Sequence, residues 1–60
     1  MNCIVRLYFD NYRVVDSPAY EVHDGNDIAL AIKHFKHSVC DHNPTLTLLE
    51  VDCMFFPRKD

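Results

Sequence analysis

Histidine, cysteine and aspartate side chains concentrate in one segment past the middle of the chain. His34, His37 and Asp41 are spaced about one helical turn apart, and Cys40 and His42 lie beside them in the sequence. Imidazole and carboxylate groups at this spacing can bind zinc. A structural zinc site uses four ligands held in place by surrounding residues, and a single exposed helix rarely supplies both. We therefore expect no metal site and no cofactor.

A second interpretation of the same segment is a contact patch. Leu30 lies one turn before His34, so Leu30, His34, His37 and Asp41 share one stripe of a helix. The charge of such a patch would change near pH 6, because the unperturbed pKa of histidine is about 6.5. The simpler alternative is a solvated polar face of the helix.

No set of residues predicts catalysis. Cys3 and Cys53 fall on the predicted buried face of the sheet, where a thiol is inert, and Cys40 lies near the helix end that disfavours a thiolate. Ser17 and Ser38 have no base arranged beside them in the sequence. A chain of 60 residues also has little material for a shaped pocket. We expect no catalytic residue and a protein that is not an enzyme.

Charge and composition exclude further classes. The six basic and nine acidic residues are scattered and give a net charge of −3, whereas nucleic-acid binders show a basic patch. The three cysteines are odd in number and widely spaced, which argues against a secreted disulfide scaffold. No run of about 18 apolar residues exists to span a membrane. We expect a single small domain over residues 1–60 in the cytoplasm, with no membrane or nucleic-acid partner.

The first half of the chain predicts two strands. Residues 3–9 alternate between apolar and polar side chains, as a strand with one buried face does. An Asp-Asn pair follows, and both residue types tolerate the positive φ that tight hairpins need. Residues 12–22 predict a second strand that is broken or bulged near Ser17 and Pro18. Because proline cannot donate to a ladder, this strand belongs at a sheet edge.

The second half predicts one helix and one strand. Residues 23–44 predict the helix, with Asp24 or Asn26 as its cap and Asn43-Pro44 at its end. Its apolar side chains recur at helical spacing and form one stripe. Residues 45–56 predict the last strand, and residues 57–60 a tail.

The order of these elements predicts a two-layer α+β domain of the type β-β-α-β. The first strand lacks proline and is the less polar of the first two, so it should be central in a three-stranded antiparallel sheet of order 2-1-3, with the helix packed on one face. The predicted core consists of Cys3, Val5, Leu7, Phe9, Tyr20, Val22, Ile28, Ala31, Ile32, Phe35, Val39, Leu49, Val51, Cys53 and Phe55.

The last strand is apolar on both faces, and the helix can cover only one. Contiguous exposed apolar patches usually mark interfaces. The side chains predicted to lie on the uncovered face, and to bind a partner, are Ile4, Arg6, Tyr8, Glu50, Asp52, Met54 and Phe56. Leu48 and Val15 are further candidates for this face. The simpler alternative is that these side chains are scattered or covered by the tail. An ordinary cross-strand pair of Arg6 with Glu50 or Asp52 is also compatible with this face.

Three short segments carry a resemblance to a known family. They are "SPAYEV", where Pro-x-Tyr precedes the helix, the helix start "DIALAI", and the proline-led last strand "PTLTLLEV". With the order hairpin, helix, strand, they resemble the small inhibitors of bacterial RNA polymerase made by T-odd phages. That family's last strand carries two arginines, one residue apart, that contact the polymerase. Glu50 and Asp52 stand at the corresponding positions, so the charge is reversed and the contact residues are not carried over.

Together these observations predict a small non-enzymatic protein-binding module. The resemblance implies a phage or mobile-element inhibitor or modulator of a host enzyme, acting in the host cytoplasm, with RNA polymerase as one candidate target. Two alternatives remain open. One is a structural homo-oligomer, with a homodimer favoured because a two-fold interface needs only one self-complementary patch. The other is a small metal- or nucleic-acid-associated regulator.

Overall fold

Four strands and one helix make up the part of the chain that the computed structural model describes, residues 1–57. The elements are β1 (Asn2–Phe9), β2 (Val14–Asp16), β3 (Tyr20–Glu21), α1 (Gly25–His42) and β4 (Leu48–Phe56). The architecture is the predicted α+β arrangement, with the predicted second strand divided into β2 and β3. Of the predicted tail, residues 58–60 lie outside the described residues.

β1 is the central strand. It pairs with β2 and β3 on one side and with β4 on the other, and every pairing is antiparallel. The predicted strand order 2-1-3 is therefore confirmed, with β2 and β3 together in the place of the predicted second strand and β4 in the place of the third. β1 and β4 pair along their whole length, from Asn2 opposite Phe56 at one end to Phe9 opposite Leu48 at the other.

Ser17 continues the ladder where the edge strand is interrupted. Its N–H donates to the carbonyl of Val5 at 2.9 Å, and its Oγ accepts the N–H of Val5 at 2.8 Å. The hydroxyl in turn donates to the carbonyl of Pro18 at 2.8 Å. Ser17 is buried, although the residues beside it are exposed. The chain can therefore pass Pro18, which has no N–H, without leaving a buried donor of β1 unpaired.

The core lies between β1 and α1. Cys3, Val5 and Leu7 are completely buried, and they alternate with half-buried residues along the strand. The helix covers them with Ala31 and Phe35, its two buried residues. Partly buried side chains that pack around the core are Val15, Tyr20, Ile28, Ile32, Val39, Cys40, Leu46, Leu48, Val51 and Cys53.

Both helix ends carry side-chain caps. Asp24 accepts the N–H of Asp27 at 3.0 Å, and Asp27 accepts the N–H of His23 at 2.9 Å. The first bond satisfies a donor that the first helical turn leaves free, and the second ties the residue before the cap to that turn. At the other end, the side-chain amide of Asn43 donates to the carbonyl of Val39 at 2.9 Å. The helix thus ends where the Asn-Pro pair predicted.

A β-bulge at the start of β4 corrects one part of the predicted core. Tyr8 lies opposite Glu50, but the next residue, Phe9, lies opposite Leu48. Leu49 is the extra residue, and it is 66% exposed rather than buried. Leu48 packs against the core instead of lying on the uncovered face.

The other end of β4 also departs from the predicted core. Phe55 lies opposite Cys3 and therefore on the helix side of the sheet, yet it is 46% exposed. The helix packs chiefly against β1, so an edge strand beyond it receives little cover. β4 is thus poorly covered on the side where the helix lies as well as on the side where it does not.

The hairpin turn between β1 and β2 places its positive φ on an unexpected residue. Tyr12 has φ 64° and is 98% exposed, whereas the preceding Asp-Asn pair was expected to take that conformation. Asn11 instead accepts the N–H of Arg13 through its side chain at 3.0 Å. The asparagine therefore serves the turn as a side-chain acceptor.

Candidate functional site

The face of the sheet opposite α1, here called the open face, gathers all the predicted partner-binding side chains. In antiparallel sheets, residues directly opposite each other share a face. The side chains of the open face are Val14 and Asp16 from β2, Ile4, Arg6 and Tyr8 from β1, and Glu50, Asp52, Met54 and Phe56 from β4. Val15, predicted as a further candidate, packs against the core instead.

One half of the open face is apolar. Ile4 lies opposite Met54, and both are half-buried by their neighbours in the sheet. Phe56, two residues further along β4, is 42% exposed. No helix or strand among residues 1–57 packs over them, since the one helix lies on the other face. These three side chains form a contiguous apolar surface that faces solvent.

The other half is charged, and Arg6 stands at its centre. Arg6 lies between Asp16 on β2 and Asp52 on β4, each directly opposite it in the register. Its guanidinium donates to both carboxylate oxygens of Asp16, Nε to Oδ1 at 2.7 Å and the terminal nitrogen to Oδ2 at 3.0 Å. The alternative pairing of Arg6 with Glu50 or Asp52 is therefore wrong. These hydrogen bonds hold the pKa of Asp16 below its ordinary value of 3.8 and raise the pKa of Arg6.

The carboxylates of β4 are left without a basic partner within residues 1–57. Among these residues no basic side chain lies at ion-pair distance from Glu50 or Asp52. Asp52 accepts the N–H of the adjacent Cys53 at 3.1 Å, and both acidic residues are exposed. The Arg6–Asp16 pair is neutral overall, so the charged half of the open face carries net negative charge.

Sequence reasoning missed Val14 and Asp16 as members of this face. Their alternation with Val15 is visible in the sequence, but the break after Asp16 hides the register of the strand. Without that register, the choice of Asp16 over Asp52 as the partner of Arg6 has no signal in the sequence.

The predicted helix patch forms part of an open groove of about 350 Å³. The groove is lined by Leu30, Lys33, His34 and His37, while Asp41 does not line it. The ring of His34 also meets the ring of Tyr20 edge-on, with centroids 6.4 Å apart. Lys33 was not predicted, although its spacing from Leu30 and His37 places it on the same helical stripe.

The histidines, cysteines and acids of the helix are not gathered into a ligand set. Within residues 1–57, no group of three or more such side chains is placed to hold a metal ion. Cys40 turns towards the core, and the Nδ1 of His42 donates to the carbonyl of Ser38 at 2.7 Å. The histidine, cysteine and aspartate side chains that are neighbours in the sequence thus do not converge on one point in the structure.

The cysteine thiols and the hydroxyl of Ser17 are engaged in packing or in hydrogen bonds, while Ser38 is exposed on the helix. Cys3 is completely buried, all three cysteines are free, and burial raises the pKa of Cys53. The hydroxyl of Ser17 is occupied by backbone groups on both sides.

Within residues 1–57, no helix combines the length and the apolar character needed to cross a membrane.

Comparison with known proteins adds no family to this geometry. No protein-family model, curated protein sequence or solved structure matches the chain. The resemblance to phage inhibitors of RNA polymerase therefore stays a prediction. Any function must be argued from the open face and the helix groove.

Proposed function

We propose that the protein is a non-enzymatic binding module whose open face docks on a basic, partly apolar surface of another protein. The observation that carries this proposal is the division of the open face into an apolar half that no element of residues 1–57 covers and an acidic half with no basic partner among those residues. Interfaces combine these features: an apolar centre that excludes water and charged groups beside it that select the partner.

The apolar half supplies the favourable term. Fully burying a large apolar side chain contributes about 1.5–3 kcal/mol. Ile4 and Met54 are already half-buried, so each gains only part of this on docking, and Phe56 gains more. Aromatic side chains at the centre of such patches commonly dominate binding. Phe56 is therefore the proposed anchor.

The acidic half selects the charge of the partner. Glu50 and Asp52 project from alternate positions of one strand, and Arg6 is already neutralised by Asp16. A partner that presents lysine or arginine at matching positions would pair both carboxylates. The net charge of −3 would also speed the approach of a basic surface.

The biological form of this proposal is a phage or mobile-element protein that inhibits or modulates a host enzyme. RNA polymerase is one candidate target, and only the resemblance in architecture supports it. Because Glu50 and Asp52 replace the arginines of that family, the surface contacted on the target would be basic rather than acidic. The helix groove is a weaker candidate, since it is lined by Lys33 and two histidines around one apolar side chain.

The test is capture from a bacterial lysate followed by titration with the purified captured protein. Wild type is compared with Asp52→Lys and Phe56→Ala on the open face, and with Asp41→Lys on the exposed side of the helix as the charge-matched control. We expect both open-face variants to weaken binding by tenfold or more, on the order of 1.4 kcal/mol, while the control binds as wild type does. Binding should also weaken as salt rises.

Two results would contradict the proposal. One is a partner whose binding is unchanged by the open-face variants but lost in Asp41→Lys, which would place the interface on the helix. The other is wild-type chain that captures no protein and self-associates through the open face, which would favour the structural homo-oligomer.

A further inference from the structure

The two edges of the sheet are protected to different degrees. On one edge, β2 and β3 have three and two residues and are separated by a segment that contains Pro18. On the other edge, β4 has nine residues with no proline and no basic side chain. Natural sheets usually protect an exposed edge with short strands, proline, charged side chains (lysine above all) or bulges. In β4 the bulge and the charged side chains Glu50 and Asp52 lie in the first half of the strand, so residues 53–56 form a regular edge without any of these devices.

The register shows which backbone groups of β4 face outward. In a strand, the N–H and C=O of one residue point to the same side, and this side alternates along the chain. Val5 and Phe9 bond to the residues that lead into and out of β2, so the odd residues of β1 face that edge. The even residues of β1 therefore bond to their partners in β4, which are Glu50, Asp52, Met54 and Phe56.

It follows that Val51, Cys53 and Phe55 direct their backbone groups away from the sheet. The hydrogen bond from the Cys53 N–H to the side chain of Asp52 agrees with this, because that N–H is not used by β1. The side chains of these same residues lie on the helix side, where Phe55 is 46% exposed. The outer edge of β4 thus offers backbone groups that β1 does not use, of which the Cys53 N–H is held by the side chain of the adjacent Asp52, and incompletely covered apolar side chains.

We propose that this edge pairs with β4 of a second copy of the chain, antiparallel and with the two-fold axis at Cys53. In this register Val51 of one copy lies opposite Phe55 of the other, and Cys53 lies opposite Cys53. Each of these residues exchanges both backbone hydrogen bonds with its counterpart. On the open face, Glu50 lies opposite Phe56 of the second copy and Asp52 lies opposite Met54.

The charges and the proline of β4 select this register over its neighbours. Moving the axis to Asp52 sets two like charges directly opposite each other, which is destabilising. Moving it to Met54 brings Pro57 opposite Val51, and proline has no N–H to donate. The Cys53 register avoids both conflicts and covers the exposed ring of Phe55 with Val51 of the second copy.

This dimer goes beyond the proposed function and does not depend on it. A two-fold axis perpendicular to the sheet keeps both helices on one side and both open faces on the other. The result is one continuous sheet whose joined open faces present the acidic and apolar surface twice. It also accounts for an edge strand that is apolar on both sides.

The first experiment is sedimentation equilibrium of the full chain and of variants that separate the edge from the open face. Val51→Pro removes an outward N–H and no N–H of the β1 ladder, and it should weaken the dimer by at least tenfold. Phe56→Lys places a cation opposite Glu50 of the second copy and should tighten the dimer by up to about fivefold. Phe56→Glu places an anion there and should weaken it. Circular dichroism checks that each variant folds.

The second experiment is oxidative cross-linking with copper phenanthroline. A backbone-bonded antiparallel pair places its Cα atoms about 5.5 Å apart, within the range that a disulfide spans. We expect a covalent dimer that is lost in Cys53→Ser and kept in Cys40→Ser.

Three results would overturn the proposal. The first is wild-type chain that is monomeric up to about 1 mM. The second is a dimer that Phe56→Lys and Phe56→Glu weaken equally, since that would indicate packing through the open face. The third is cross-linking that depends on Cys40 instead of Cys53. Each of these three results concerns the dimer alone, and none of them depends on whether another protein binds the open face.

Discussion

Replacing Ser17 by alanine should remove the acceptor on which a buried part of β1 depends. Val5 is completely buried, and its N–H has the Ser17 hydroxyl, 2.8 Å away, as its partner. Because Ser17 is itself buried, water is poorly placed to replace its hydroxyl as the acceptor of the Val5 N–H in the alanine variant. The Pro18 carbonyl also loses a donor, but Pro18 is exposed and can bond to water.

The magnitude follows from the orphaned donor. Leaving a buried N–H unsatisfied costs about 1–3 kcal/mol. A domain of 60 residues has a total stability of about 3–9 kcal/mol, so the loss is a large fraction of the whole. For a domain of this size, each kcal/mol lowers the melting temperature by about 4–8 °C.

Urea unfolding measures this loss, and hydrogen exchange locates it. Ser17→Ala should lower the free energy of unfolding by about 1–3 kcal/mol and speed exchange of the Val5 amide more than that of Leu7. Ser38→Ala, on the exposed side of the helix, is the matched control and should stay within about 0.5 kcal/mol of wild type. Ser17→Ala as stable as that control, with Val5 exchange unchanged, would refute the reasoning.

The remaining predictions concern the core, the bulge and the charged pair. Phe35→Ala should cost about 3–5 kcal/mol because the ring packs on β1, and a thermal melt close to that of wild type would show that the helix is misplaced. Leu48→Lys should destabilise the domain more than Leu49→Lys, because the bulge packs the partly buried Leu48 against the core and leaves Leu49 exposed; equal urea midpoints would contradict the register. In an NMR pH titration the pKa of Asp16 should lie below its ordinary value of 3.8, because Arg6 donates hydrogen bonds to it, and Arg6→Gln should raise that pKa. Because the folded pKa is the lower one, this pair stabilises the fold above about pH 4 and ceases to do so as pH falls through the folded pKa; an Asp16 pKa that is the same in both proteins would exclude the contact.

The periodicity of the sequence was sufficient for the elements and their order. Alternation along β1 predicted the completely buried Val5 and Leu7, and Asp24 and Asn43 marked the helix ends that the structure shows. Pro18 indicated correctly that the second strand is broken and lies at an edge. Each of these features depends on local chemistry, which a single sequence displays directly.

The errors arose where geometry depends on distant parts of the chain. A bulge moves every preceding residue to the other face, and neither Leu48 nor Leu49 has a side chain that reveals it. Arg6 had carboxylates available on both neighbouring strands, and only the three-dimensional register separates Asp16 from the others. The sequence predicts Phe55 to be in the core because it is apolar and follows the alternation of the buried residues of β4, but its burial depends on how far the helix extends over the strand.

The pairing of Asn2 with Phe56 has a consequence for how this fold can be joined to other chains. Cross-strand neighbours lie only about 5 Å apart, so the chain enters and leaves the sheet at nearly the same point. Such a unit can be inserted into a surface loop of a host protein without stretching that loop. A short linker between the two positions, with new termini opened at the exposed turn around Tyr12, should likewise give a circular permutant that keeps the same sheet.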